Sequence, residues 1–168
     1  MRDVTAKATH PNKRHLTAQA YRGRKAVAFT ACVEQRAPIL ADAELVSAFV
    51  PLLENAATDA KCIIPVYTFM PDHLHVLLLG TGDDSDAKAA MDRFKSRSGW
   101  WLYRHRPPAK WQTGYWDHVV RYFEGWEAQA RYIAANPCRA GLAENVFDWP
   151  FTGSIGCDLA EVIAEAFW

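Results

Sequence analysis

An α+β fold, with an antiparallel sheet backed by helices and a further helix toward the C-terminus, is what this sequence predicts, on three observations. Apolar runs of strand length alternate with runs of helical periodicity in the order strand, helix, strand, strand, helix, strand. Two of the strands are separated by a turn short enough for a hairpin. The chain has 168 residues, 50% of them hydrophobic, which suffices for one domain with a real core and is short for two, so residues 1–168 are expected to form a single unit.

The elements follow in chain order. Residues 1–24 are polar and basic and read as an irregular arm. Residues 26–33 (AVAFTACV) form a first apolar, β-branched run. Within 42–57, Leu45, Val46, Phe49, Val50, Leu52 and Leu53 recur at helical spacing after an acidic start, and Pro51 predicts a kink or a break. Residues 62–69 (CIIPVYTF) are a second strand, where Pro65 indicates an edge or a bulge. A turn at 70–72 leads back through 73–79 (HLHVLLL). The loop 80–86 ends in capping residues and opens a basic helix over 87–103. A strand is expected around His118, Val119 and Val120, then a helix over 124–136 stopped by Pro137 and followed by Gly141. The remainder, 144–168, reads as an acidic tail of loop with a short apolar helix at 159–167. This order is that of a ferredoxin-like sheet with an added C-terminal helix. Such a fold hosts many functions, so the site must decide among them.

The formal charge is zero, but its distribution is two-sided. Residues 1–36 hold eight basic residues against Asp3 and Glu34; residues 88–110 hold seven against Asp92; residues 144–168 hold five acidic residues and no Lys or Arg. A one-faced nucleic-acid binder has this pattern. Cys32, Cys62, Cys138 and Cys157 stand far apart without metal-knuckle or disulfide spacing, which fits a reducing compartment. No apolar leader or membrane-length run is visible, so a cytoplasmic location is expected, with no membrane partner.

Two pairs of residues carry chemistry. On a strand, i and i+2 share a face, so His73 and His75 present two imidazoles together, a bidentate metal site. On a helix, i and i+4 share a face, so Tyr132 and Asn136 stand together, a phenol able to act as nucleophile and an amide oxygen able to serve as third ligand. Taken singly, each pair also has a bland reading: surface histidines, a packing tyrosine, an asparagine that closes a helix.

The strings YTFMPDHLHVLLL, MDRFKSRSG, WQTGYWDHVVR and ARYIAANPCRAGL, in that order over 67–149, resemble the small HUH single-tyrosine transposases, in particular the REP-associated tyrosine transposases. The resemblance implies a nuclease-transferase acting on single-stranded or hairpin DNA without ATP. It implies His73, His75 and Asn136 as metal ligands and Tyr132 as the catalytic tyrosine, with Mg²⁺ or Mn²⁺ as the divalent metal. It further implies DNA contacts from the basic helix (Arg93, Lys95, Arg97), from Arg139, and from rings such as Trp100, Trp101 and Trp116. The protein is expected to be a monomer or homodimer, with the tyrosine acting within one chain or across two.

The chemistry agrees with those residue types. Two imidazoles and an amide oxygen leave positions open on an octahedral ion, and a cation beside a phenol favours the phenolate. Attack would give a 5′-phosphotyrosine link and a free 3′-hydroxyl, and the reverse displacement would seal the strand. His118 is assigned a structural or DNA-contact role, and Asp117 a cap or surface charge. Two other readings stay open: a catalytically silent, domesticated binder of DNA or RNA hairpins, and a metal hydrolase with a water nucleophile, which needs a carboxylate ligand near the histidines.

Overall fold

The computed structural model describes residues 16–121 and 125–164. Five strands form one sheet in the order β4-β1-β3-β2-β5: β1 is Ala26–Cys32, β2 Cys62–Phe69, β3 His73–Gly80, β4 Trp116–Val119 and β5 Thr152–Ile155. The neighbouring strands pair antiparallel throughout. The first four strands carry the ferredoxin-like order, as expected.

One face of the sheet holds the larger core. Leu45, Val46, Phe49, Leu53, Ala56 and Ala57 make an apolar stripe on α1 (Ala43–Asp59), and Ala90, Met91, Phe94 and Leu102 make another on α2 (Ala87–His105). Each helix opens on an aspartate cap: Asp42 Oδ1 accepts from Leu45 N at 2.8 Å, and Asp86 Oδ1 from Ala89 N at 3.0 Å. Phe49 sits at the middle of the packing, with Phe69, Phe94, Trp101 and Trp111 around it. Pro51 does not break α1 as its sequence position suggested. The prolyl residue is exposed, so the lost backbone bond faces outward while buried Phe49 and Leu53 hold the helix on the sheet from both sides.

The other face carries α3 (Trp126–Ala134), the four-residue α4 (Asn136–Arg139) and α5 (Leu159–Ile163). Its core is small: Ala26, Ala28, Val66 and Leu77 from the sheet meet Ala130, Ile133, Ala134 and Val162. Alanines on both sides of that contact let α3 lie close to the strands.

Two expectations are corrected. Residues 1–15 of the anticipated arm lie outside the described residues, but the rest of it is not irregular: Ala18–Tyr21 is a 3-10 turn, and Tyr21 is fully buried with its hydroxyl donating to Asp117. The acidic tail is not loop alone, since β5 lies in it, paired to β2. Gly153 makes that pairing possible, because a Cβ there would stand 2.5 Å from the Tyr67 hydroxyl oxygen. The tail helix α5 is observed as Leu159–Ile163, and residues 165–168 fall outside the described part. Of the two readings of Pro65 the bulge is observed: the register with both neighbours of β2 slips between residues 63 and 67.

Candidate active site

Alternation on β3 sends Leu74, Val76 and Leu78 into the larger core, so His73, His75 and Leu77 point to the face covered by α3. The strand register then lines up a polar row across that face: Trp116 opposite Thr30, Thr30 opposite His75, His75 opposite Thr68, and Thr68 opposite Thr152. Thr68 is fully buried and shares a 2.7 Å hydrogen bond with the Thr152 hydroxyl.

The two imidazoles converge. His73 Nε2 and His75 Nε2 are 3.0 Å apart, with the rings at right angles. Each ring is held from behind at Nδ1, His73 by Asp72 Oδ1 at 2.6 Å and His75 by Thr30 Oγ1 at 2.8 Å. Arg36 Nε in turn donates to Asp72 Oδ2 at 2.7 Å. Burial pulls the Asp72 carboxyl upward, but hydrogen bonds from His73 and Arg36 outweigh it and leave it below its usual range, so it is ionised and can only accept. His73 Nδ1 is therefore the donor of that hydrogen bond, and Nε2 is the ring nitrogen turned to His75. Burial, reinforced by the charges of His73, Arg139 and Arg36, pushes His75 down from 6.5 to about 4, so it is a neutral imidazole at physiological pH. The Thr30 hydroxyl can serve either tautomer of that ring.

This arrangement fits a divalent cation. Ligands at neighbouring corners of an octahedron with bonds of about 2.1 Å are separated by about 3.0 Å, the distance found between the two Nε2 atoms. Nδ1 partners that fix the rings are what metal-binding histidines require. Among the described residues no group of three or more His, Cys, Asp or Glu side chains could hold a metal. Asp72 stands behind His73 rather than beside Nε2, so it is not itself placed as the carboxylate ligand that the hydrolase reading needs.

Across a cleft of about 250 Å³ lie the other two predicted residues. Its walls include Thr30, His75, Trp116 and His118 from the sheet and Gln129, Tyr132 and Asn136 from the helices. Tyr132 is on α3, one residue before the buried anchor Ile133, and is 59% exposed. Asn136 begins α4; its Oδ1 accepts from Arg139 Nη2 at 2.7 Å, and its Nδ2 is buried without a partner among the described residues. Arg139 also donates to the Tyr132 carbonyl at 2.8 Å and lies over its ring.

The predicted DNA contacts divide. Trp116 and Arg139 are at the cleft. Arg93 and Arg97 are on the far side of the sheet, where both approach Asp59 of α1, at 3.8 and 3.5 Å. Lys95 is turned into the chain: burial lowers its pKa, and Nζ donates to the carbonyls of Gln112, at 2.7 Å, and Gly114. Trp101 is in the core, whereas Trp100 is 62% exposed with Arg104 over its ring. His118 lines the cleft, and the Asp117 carboxylate accepts from Tyr21, which gives it a core partner rather than the cap or surface role expected. Thr30, Arg36 and Asp72 were not singled out from sequence. Only the cross-strand register reveals Thr30, and Arg36 sits in a turn with Gln35 and itself at φ +56° and +55°, a backbone strain that a one-dimensional reading does not show.

No helix among the described residues is long and apolar enough to cross a membrane. Residues 24–135 match the family model described as "Transposase IS200 like". Over 91 residues the chain is 26% identical to the REP-associated tyrosine transposase of Escherichia coli (strain K12), covering 53% of this chain and 52% of that protein. Over 124 residues it is 28% identical to a protein of Haemophilus influenzae given the same family name, covering 64% of each. The chain thus spans less than two thirds of the length of either curated relative. A solved structure of a REP-associated tyrosine transposase bound to a REP hairpin superposes with a TM-score of 0.67 over 84% of this chain and 81% of that one, at 20% identity, a likeness of fold.

Proposed function

The chain belongs to the IS200-like transposase family, of the REP-associated tyrosine type, and from that premise we propose that it cuts and rejoins single-stranded, hairpin-associated DNA with Tyr132 as nucleophile. The observation that carries this reading is the cleft in which Tyr132 and Asn136 face His75, with the His73 Nε2 atom 3.0 Å from that of His75.

In this reading His73 and His75 hold Mg²⁺ or Mn²⁺ through Nε2, and Asn136 offers its amide oxygen. A divalent ion there supplies charge neutralisation to a bound phosphate and favours an ionised phenol. The chain does the rest. Asp72 and Thr30 keep the two imidazoles turned toward the cleft, and α3 presents the phenol to the same space. The Tyr132 hydroxyl oxygen attacks phosphorus; the bond to the 3′ oxygen breaks as the bond to the tyrosine forms. The phenol gives up one proton and the departing 3′ oxygen takes one, leaving a 5′-phosphotyrosine and a free 3′-hydroxyl. Because the bond count is conserved, a 3′-hydroxyl can later displace Tyr132 and close the strand. His75, Tyr132 and Asn136 line one cleft of the same chain, which supports a tyrosine acting with its own chain's histidines. In this reading Trp116 and His118, which line the cleft, and Arg139, bonded to Asn136, contact the DNA, and the likeness of fold to a transposase solved bound to a REP hairpin supports a hairpin partner.

The test is a hairpin oligonucleotide with a single-stranded flank, incubated with Mg²⁺ or Mn²⁺ and resolved under denaturing conditions. A protein–DNA adduct at the 5′ end of the fragment downstream of the cut is expected, and Tyr132→Phe removes it while hairpin affinity is retained. An adduct of undiminished yield in Tyr132→Phe would overturn the assignment.

A further inference from the structure

Arg139 ends α4, and its side chain is tied to both residues of the helical half of the site. One nitrogen, Nη2, serves the Tyr132 carbonyl at 2.8 Å and Asn136 Oδ1 at 2.7 Å, while Cζ is 3.9 Å from the centre of the Tyr132 ring. At that distance the guanidinium packs on the ring face and restrains a phenol that is 59% exposed. Asn136 pays for the arrangement: its oxygen is spent on Arg139, and its buried Nδ2 has no partner among the described residues. Leaving a buried donor unmade is costly, so this amide is poised to change partners.

We infer that Arg139 is a positioning residue which holds the Tyr132 ring and the Asn136 amide in a resting arrangement, competes with a cation for Asn136 Oδ1, and releases it when a DNA phosphate draws the guanidinium away. A guanidinium binds phosphate more strongly than it binds a neutral amide and a carbonyl, which gives the exchange its direction. The inference rests on the reading of Tyr132 as nucleophile and Asn136 as ligand.

The experiment titrates Mn²⁺ into the chelator-treated chain without DNA by calorimetry, and separately measures single-turnover adduct formation on the hairpin at saturating Mn²⁺. Arg139→Gln is expected to bind Mn²⁺ roughly fivefold tighter, as the loss of one competing hydrogen bond would give, and, without the guanidinium's contact to the DNA phosphate, to form the adduct at least about tenfold more slowly. Arg139→Lys should move both readouts the same way by smaller factors. In an Asn136→Ala background the gain in Mn²⁺ affinity should vanish. A residue that merely supports the fold would lower both quantities together, so Mn²⁺ binding that is unchanged or weaker in Arg139→Gln overturns the inference, as does a gain that survives Asn136→Ala. If the unaltered chain forms the adduct and only these shifts are missing, the nucleophile reading stands and the role of Arg139 falls; if the unaltered chain forms no adduct, both fall.

Discussion

Asp72 Oδ1 accepts from His73 Nδ1 at 2.6 Å, while the other oxygen of the same carboxylate is held by Arg36 at 2.7 Å. The carboxylate thus sets both the tautomer and the tilt of an imidazole whose opposite nitrogen faces the cleft. Asp72→Ala should lower Mn²⁺ affinity about 10- to 100-fold, the usual cost of losing such a partner, and Asp72→Asn, which keeps an acceptor, should cost less. Calorimetric titration of the two variants checks the order; equal affinities would remove Asp72 from the site.

Metal binding should also appear as stability. A cation that binds only the folded chain raises its unfolding free energy by about 2.7 kcal/mol at one hundred times Kd. A melt of the chelator-treated chain with increasing Mn²⁺ should shift upward, and the shift should be lost in a His73→Ala, His75→Ala double variant.

Ile133 is 2% exposed and is the largest buried side chain that α3 contributes to the smaller core. Ile133→Ala should destabilise the chain by about 2–4 kcal/mol, read from urea denaturation. It should slow adduct formation more than it weakens hairpin binding, because Tyr132 is the next residue on the helix.

Alkaline pH tests the other face. Burial and the hydrogen bond to Asp117 push the Tyr21 hydroxyl up from 10.0 to about 12. Between those values the unfolded chain releases this proton and the folded chain keeps it, so the folded form binds more protons and stability falls as pH rises through that window. The contribution is on the order of 1–2 kcal/mol once solvent screening is allowed for. Tyr21→Phe should be less stable than the parent at neutral pH, with a shallower decline between pH 10 and 12 in melts.

Much of this could be read from the residues. The 3.6-residue spacing of Leu45, Phe49 and Leu53 and the two-residue spacing of His73 and His75 place α1 and β3 because each period maps directly onto a buried face. The strand β5 could not be found that way: Thr152–Ile155 is four residues long and contains Gly153, which is there for the Tyr67 ring across the sheet and not for any local preference. Lys95 is the converse case. A basic helix predicts solvated charge, yet this ammonium is taken by two carbonyls about seventeen and nineteen residues later, a tertiary closure with no local trace. Tyr132 and Asn136 share a cleft as their spacing required, although a helix boundary at Ala135 separates them. Their common partner Arg139 follows only from the geometry of that junction.

The alanines that bring α3 down to the sheet, Ala26 and Ala28 below and Ala130 and Ala134 above, amount to a spacer of minimal thickness between two halves of a reaction. Each methylene added there would lift the phenol from the imidazoles by a fraction of an ångström. On the proposed mechanism the reach of Tyr132 is thereby written in the volume of side chains given no chemical role, and a graded series from Ala to Val to Leu would use this layer as a ruler for it.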